Sequence, residues 1–443
     1  MKKTLLYLLV LLASPLFAQT PLSISEAIER SLKQNFDIKI EKNTIQINQN
    51  NNNWGQAGRF PTINFSLGQN NTMQNTVNPA SFLQGTTLNS NIQPNVSLNW
   101  LLFSGFTATI TKERLDAIQR DSEGNARIVV ENTVQAVLTT YNRAALEAQR
   151  LLIIERSLKL SRDKYAYSEL KKELGSAVSS EVLLEKNNYL TDSTRWVNQQ
   201  LSYRNALREL NFLMAEPEIN TEFELVDKLA FEPKEYDFEE LKTKLLGNNA
   251  TLKKQYISQE ILKKDYQLRQ AAQLPQISFN MGSSYNVNRQ DLSQATFADG
   301  RKGPVGQAQI SNFQANFQLS VPVFNGGQLR RAIQNSQILE QNGLLRIEKM
   351  KLSLTKDLAQ AYDLYEVRRK LVRIVAENRL TAETNLSFAE ERFKNGTINS
   401  FDYRQLQNVY LDVAFAETEA LFNLIEAHNQ LVRLTGGILE ENQ

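Results

Sequence analysis

Side chains able to do chemistry are scarce in this chain of 443 residues, which has one histidine, His428, and no cysteine. Two acids stand out by position: Glu181 and Asp402 each follow a glycine, Gly175 and Gly396, by six residues. Neither has a second carboxylate, a nucleophile or a base in a spacing that would make an acid/base pair, and no phosphate-cradling glycine loop or metal-ligand pattern accompanies them. A lone histidine in a helical seam is a packing residue far more often than a catalytic one. The sequence therefore predicts no enzyme, no metal and no cofactor. The plainer role for Asp402 is to stabilise the first turn of a helix.

The elements that position these acids come in two copies. Phe103/Phe324, Gly105/Gly326, Tyr141/Tyr362, Gly175/Gly396, Tyr189/Tyr410, Leu190/Leu411, Leu210/Leu431 and Leu213/Leu434 share one offset (396 − 175 = 221). A constant register over more than a hundred residues is an internal repeat. Within the first copy Val130, Val134, Val137, Tyr141, Ala144, Ala148 and Leu151 step in alternating fours and threes, the seam of helices packing at coiled-coil angles. Gly175 with Ser176, Ser179 and Ser180 breaks that run, and Gly396 breaks the second. Each copy reads as a helical hairpin whose first arm, from about Gly105 to Leu174, would be roughly 100 Å long at 1.5 Å per residue.

The N-terminus carries a compartment signal. Met1-Lys2-Lys3 is a short basic start, Leu5 to Leu12 an apolar run too short to span a bilayer comfortably, and Ala18-Gln19 a cleavage point, so residues 1–18 read as a signal peptide. Loss of Lys2 and Lys3 leaves 48 basic against 48 acidic side chains, a balance that argues against nucleic acid as a partner. No later segment has eighteen consecutive apolar residues.

After the signal, Ser25 caps a helix carrying Ile28, Leu32, Phe36, Ile40, Ile45 and Ile47, followed by the asparagine-rich stretch Asn48 to Asn53, read as a polar helix face. The period then changes to two. Ile63, Phe65 and Leu67, and later Ile92, Val96, Leu98 and Trp100, alternate with Asn, Gln, Ser and Thr; Ile277, Phe279 and Met281, then Phe313, Ala315, Phe317, Leu319 and Val321, repeat the device. Soluble sheets with one buried face alternate in the same way. Here nothing nearby supplies an apolar layer, whereas membrane strands alternate apolar and polar over about ten residues. Phe60, Trp100, Phe103 and Phe324 near the strand ends suit an interfacial belt. Open sheet edges cannot sit in hydrocarbon and bacterial barrels start at about eight strands, so the four strands must be pooled across chains. Three chains would give twelve.

The domain reading is then residues 1–18 signal, 19–215 first repeat, 216–236 linker, 237–436 second repeat and 437–443 tail. Its β-hairpins lie at about 61–103 and 275–324, and its helical tips near 175 and 396. The linker, with Pro217, Pro233, Phe223, Leu225, Leu229 and Phe231, should pack against the helices, and Asp237 or a neighbour should open the next one.

Leu268 to Ser278 (LRQAAQLPQIS) and Gln56 to Ile63 (QAGRFPTI) resemble the helix-to-strand junction of TolC-type outer-membrane efflux proteins; Val321 to Gly327 (VPVFNGG) and Leu102 to Gly105 (LFSG) resemble the strand-to-helix return. The resemblance covers nearly all of the chain after the signal. It implies a mainly α fold with a small membrane β part, made of two tandem repeats, and a homotrimer whose twelve-stranded β-barrel in the outer membrane continues as an α-helical barrel through the periplasm. It further implies a passive exit duct for small molecules or secreted polypeptide, working with a periplasmic adaptor and an inner-membrane pump. Its hairpin tips, here Gly175, Ser176, Gly396, Thr397 and Ile398, would form the periplasmic mouth and the adaptor's docking point. Asp402 matches the first constricting acid of such mouths, Gln405 stands where a second acid is often found, and Glu181 is the repeat partner of Asp402. Ile398 and Phe393 replace an arginine and a tyrosine that latch the closed tip in some members, so a gate held by packing is expected. A periplasmic adaptor would show one helical hairpin and usually a lipid-bearing cysteine; a surface coiled coil or adhesin needs no strands.

Overall fold

The computed structural model describes residues 20–441, so the signal-peptide reading lies outside the described residues. By internal contacts the chain forms two compact units. The first comprises residues up to Thr44, Glu123–Lys254 and from Ile347 on; the second comprises Ile45–Ser122 and Gln255–Arg346. No helix among the described residues is long and apolar enough to cross a membrane.

In chain order the elements are β1 (Thr20–Leu22), α1 (Ile24–Gln34), α2 (Phe36–Asn51), β2 (Thr62–Thr76), β3 (Leu83–Ser104), α3 (Thr107–Glu173) and α4 (Ser179–Leu213). There follow β4 (Phe223–Leu225), α5 (Phe238–Asn248), α6 (Ala250–Ala271), β5 (Gln276–Phe297), β6 (Val305–Ser320), α7 (Gln328–Lys394), α8 (Ser400–Leu434) and α9 (Ile438–Glu441). The duplication is visible in helix lengths. The helices α3 and α7 have 67 residues each, α4 and α8 35 each, and α1 and α5 11 each. The offset is 221 after the strands (328 − 107) but 214 before them (238 − 24). The β-hairpin is therefore where the copies differ in length.

The helical unit owes its core to the seam read from sequence. Val134, Val137, Tyr141 and Ala144 are buried, and the first three join Leu22, Ile28, Leu210, Met214, Phe223 and Ile438 in one apolar cluster. A second cluster gathers Leu241, Leu245, Leu358, Tyr365, Leu424 and Leu431. Tyr141 is fully buried, and its hydroxyl donates to the Leu22 carbonyl at 2.8 Å and accepts from the Asp227 amide at 3.2 Å. Burial pushes that hydroxyl's pKa up to about 12.

Three local readings are corrected. The first helix is capped by Ser23, whose Oγ accepts the Glu26 amide at 3.2 Å, and not by Ser25, which already lies inside the helix. The run from Ile28 to Ile47 is two helices. Asn35 ends the first, accepts the Asp37 amide at 2.9 Å, and donates to the Leu213 carbonyl at 3.0 Å. Asn249 does the same in the second copy, accepting from the Leu252 amide and donating to the Leu434 carbonyl, both at 3.0 Å. A side chain that offers the backbone an alternative partner breaks a helix that periodicity alone would continue. The asparagine patch is helical only to Asn51. In the linker, Phe223–Leu225 pair in parallel with Thr20–Leu22, a three-residue strand too short to show a period. Asp237 caps α5 through the Glu240 amide at 2.9 Å, as read.

The second unit is built on one antiparallel sheet of order β2-β3-β5-β6. In register, Ile63 faces Leu98, Leu98 faces Met281 and Met281 faces Ala315, so the apolar positions of all four strands share one face. Asn64, Ser97, Gly282 and Gln314 share the other. The apolar face is bare: Phe65, Phe313 and Phe317 are 69%, 68% and 75% exposed. The edges β2 and β6 each have one neighbour in the chain. At the return to α3, Gly105 has φ of +63°, and a Cβ there would lie 2.6 Å from the Ala271 carbonyl oxygen. Gly105→Ala should lower stability by about 1–3 kcal/mol, read from thermal unfolding, while Gly326→Ala, with open space around it, should cost less.

Candidate functional site: the ends of the helical hairpins

Both tips are built by the same turn. Gly175 and Gly396 adopt φ of +73° and +71°, the left-handed conformation that ends a helix at little cost only for glycine. The Ser176 amide then donates to the Lys171 carbonyl at 2.7 Å, and the Thr397 amide to the Arg392 carbonyl at 2.8 Å. Gly175, Ser176, Gly396 and Thr397 are exposed and Ile398 is half-buried. Asn399 caps α8 by accepting the Asp402 amide at 2.8 Å, whereas α4 starts at Val178 without a side-chain cap. Asp402 and Gln405 are exposed in the first turns of α8, and Glu181 is half-buried in the first turn of α4.

Just inside the tips lies a cluster that the sequence reading did not single out. Asp192 on α4 and Arg404 on α8 form a two-pronged ion pair, with Nη1 to Oδ2 at 2.7 Å and Nη2 to Oδ1 at 2.6 Å. Asp192 is 1% exposed and Arg404 8%. The guanidinium fork matches the carboxylate, so both charges are satisfied where water is absent. Ser157 on α3 adds a 3.4 Å hydrogen bond to Asp192, and Arg195 stands 3.5 Å away.

Beside this pair Lys164 of α3 lies over two stacked rings, Phe393 at 4.5 Å and Tyr403 at 4.6 Å. Its Nζ is 3.2 Å from Glu185 Oε1, close enough for an ion pair but off the direction of a hydrogen bond. Burial lowers the Lys164 pKa, partly offset by the Glu185 charge and, less, by Glu181. Burial also pushes the Tyr403 hydroxyl up to about 12. The two hairpins are thus joined near their ends by charge, and not by packing alone. Phe393 takes part through its ring.

Farther along, α3 and α8 are joined by Arg150 to Glu419 at 2.7 Å, Thr139 to Glu426 at 2.8 Å, and Arg143 over the Phe422 ring at 4.0 Å. His428 is buried. Its Nδ1 is 2.9 Å from the Tyr236 hydroxyl, and burial lowers its pKa, consistent with a packing role.

The internal repeat could have revealed the cluster. At the 221-residue offset Arg404 corresponds to Leu183, Asp192 to Val413 and Glu185 to Leu406. One copy carries a charge where the other carries an apolar side chain, and each of these charges is buried.

The strands offer a different surface. The four strands of the large sheet carry two charged side chains, Arg289 and Asp291, both in β5 and both on the apolar side, in line with Ile277, Phe279 and Met281. The polar face is all carboxamide, hydroxyl, glycine and a few small or apolar residues, with no charge. Among the described residues no group of histidines or carboxylates is arranged to hold a metal.

Residues 241–437 match the family model described as outer membrane efflux protein. No curated protein sequence matches the chain. Among solved structures, the chain is similar to the CmeC outer membrane channel of Campylobacter jejuni, at a TM-score of 0.72 and 13% identity over 94% of this chain and 85% of that one. It is similar to CusC at 0.71 and 16% identity, covering 94% and 92%. It is also similar to the MtrE outer membrane channel of Neisseria gonorrhoeae in its open state, at 0.70 and 14%, covering 94% and 89%. The match to the efflux-protein model covers most of the second repeat, and the described chain as a whole carries the fold of these outer membrane channels.

Proposed function

We propose that this chain is the outer-membrane channel of an efflux system, a transport protein and not an enzyme, acting as a passive exit duct from the periplasm. The observation that carries the reading is the four-stranded sheet with one bare apolar face, one uncharged polar face and two free edges. In hydrocarbon such edges must be paired. In the order β2-β3-β5-β6 every neighbouring pair is antiparallel, so β6 of one copy and β2 of the next would also meet antiparallel. A homotrimer of twelve strands closes the wall with the polar face inward, and outer-membrane lipid covers the apolar face.

The exposed tips, Gly175 and Ser176 with Gly396, Thr397 and Ile398, dock a periplasmic adaptor, through which the channel receives cargo from an inner-membrane pump of a tripartite or type I secretion system. Asp402, with Gln405 and Glu181 nearby in the repeat, forms the constriction. The acid at Asp402 is free to line a mouth because its backbone amide, and not its carboxylate, engages the Asn399 cap.

The chain should require detergent for solubility and run as a heat-modifiable trimer. In planar bilayers it should conduct, and Asp402→Ala should weaken block by divalent cations several-fold by removing one charge from each of three chains. Unchanged conductance and block would remove Asp402 from the constriction. A stable, detergent-free monomer would end the channel reading.

A further inference from the structure

The apolar face of the sheet does not continue along the whole length of its strands. In β5 the positions on that face run Ile277, Phe279, Met281, Ser283, Tyr285, Val287, and then Arg289 and Asp291. The apolar stretch is about the ten residues a membrane strand needs, yet β5 continues to Phe297. Its partners change with it. Arg289 faces Ser90 on one side and Gln307 on the other, and Ser90 faces Asn71. One row across all four strands is therefore polar: Asn71, Ser90, Arg289 and Gln307. On β6, Gln309 and Ser311 occupy the same face toward the apolar band. Asn71, Arg289 and Gln307 are exposed.

Arg289 is the one cation in these strands, and its row is the first from the helix side with no apolar side chain on that face; the next row, Met73, Leu88, Asp291 and Val305, is again mostly apolar. Its nearest acid along the strand, Asp291, accepts the Ser293 amide at 2.9 Å. The next basic residue, Arg301 in the turn beyond β5, is held by Asp299 at 2.7 Å. A guanidinium at that level presents a planar fork suited to a phosphate, and the flanking carboxamides and hydroxyls can both donate to and accept from sugar hydroxyls. A face continuous with the lipid-facing band meets lipid headgroups first, so the occupant of this row belongs to the bilayer.

We propose that the row Asn71, Ser90, Arg289 and Gln307 binds the phosphorylated sugar headgroup of an outer-leaflet glycolipid, with Arg289 on the phosphate. This rests on the outer-membrane reading above, and it adds a specific lipid contact to it. In the closed trimer the row recurs three times around the wall, at the level where hydrocarbon gives way to headgroups.

The test is lipopolysaccharide binding to the full-length, detergent-purified protein, followed by native mass spectrometry and by fluorescence titration. The wild type should retain lipopolysaccharide, and Arg289→Gln should bind it about tenfold more weakly, the effect of losing one charge-assisted contact. Dephosphorylated lipopolysaccharide should lose affinity for the wild type to a similar extent, and inorganic phosphate at millimolar concentration should not compete. Equal binding by wild type and Arg289→Gln overturns the proposal, as does full displacement by inorganic phosphate, which would mean a simple anion site. The heat-modifiable trimer band is followed in every sample. Its absence from the wild type would instead bring down the channel reading and the glycolipid contact together.

Discussion

Asp192→Ala destabilises the helical hairpins by about 3–5 kcal/mol, because it strands the Arg404 charge 8% exposed with no carboxylate to meet it. The two-pronged geometry at 2.6 and 2.7 Å is what holds that charge; Ser157, at 3.4 Å, bonds to Asp192 and not to the guanidinium. Breaking one partner of a buried pair costs far more than replacing both by apolar side chains of similar size. The double variant Asp192→Leu with Arg404→Met should therefore recover most of the loss. Thermal or denaturant unfolding in detergent reads both effects. A loss below about 1 kcal/mol in the single variant would mean that water reaches Arg404 and the pair is not buried. The same single variant should raise spontaneous conductance in planar bilayers, since α4 and α8 would no longer be joined just inside their tips.

Neighbouring residues of β6 should respond in opposite ways to the same substitution. Phe317 lies on the bare apolar face, 75% exposed, paired with Phe279 and with ring centroids 4.7 Å apart. Arginine there should cost about 1–2 kcal/mol per chain, less than the roughly 2–4 of the midplane, because Phe317 shares its row with Phe279 and Trp100 toward one end of the apolar band. In a trimer that penalty is incurred three times, so Phe317→Arg should remove nearly all protein from the outer-membrane fraction. Gln318→Arg, one position along, points to the uncharged polar face and should assemble normally while shifting ion selectivity toward anions. If both variants assemble alike, the face exposed in the single chain is not the one that meets lipid.

The long-range order of the molecule was legible because it rests on period and repetition. The 4-3 spacing of Val130 to Leu151 and the alternation around Phe313 to Val321 each follow from the geometry of one element, and each describes the face that the structure shows. The offset of 221 carried the hairpin from one half to the other. What was missed depends on single side chains acting across the chain. Asn35 and Asn249 break helices by offering an alternative hydrogen bond, which no periodicity registers. The strand Phe223–Leu225 exists only because Thr20–Leu22 lies beside it. The charges at Asp192, Glu185 and Arg404 look like ordinary surface residues until three helices are brought together. Comparing the chain with its own repeat was the available signal, since Arg404 stands against Leu183. Of the proposed constriction, the cap at Asn399 could have been read from the sequence Asn399-Ser400-Phe401-Asp402.

The equal arm lengths in the two copies, 67 and 35 residues, place a mechanical condition on engineering this protein. Within a hairpin the paired arms keep step through contacts such as Tyr165 stacked on Tyr189 at 6.1 Å and Gln199 bonded to Glu147 at 2.6 Å. Removing three residues from one arm shortens it by about 4.5 Å and turns every later side chain away from its counterpart. Only shortening by whole heptads, made in all four arms together, would leave the tips level and the seams facing, so a shorter reach must be cut in units of seven.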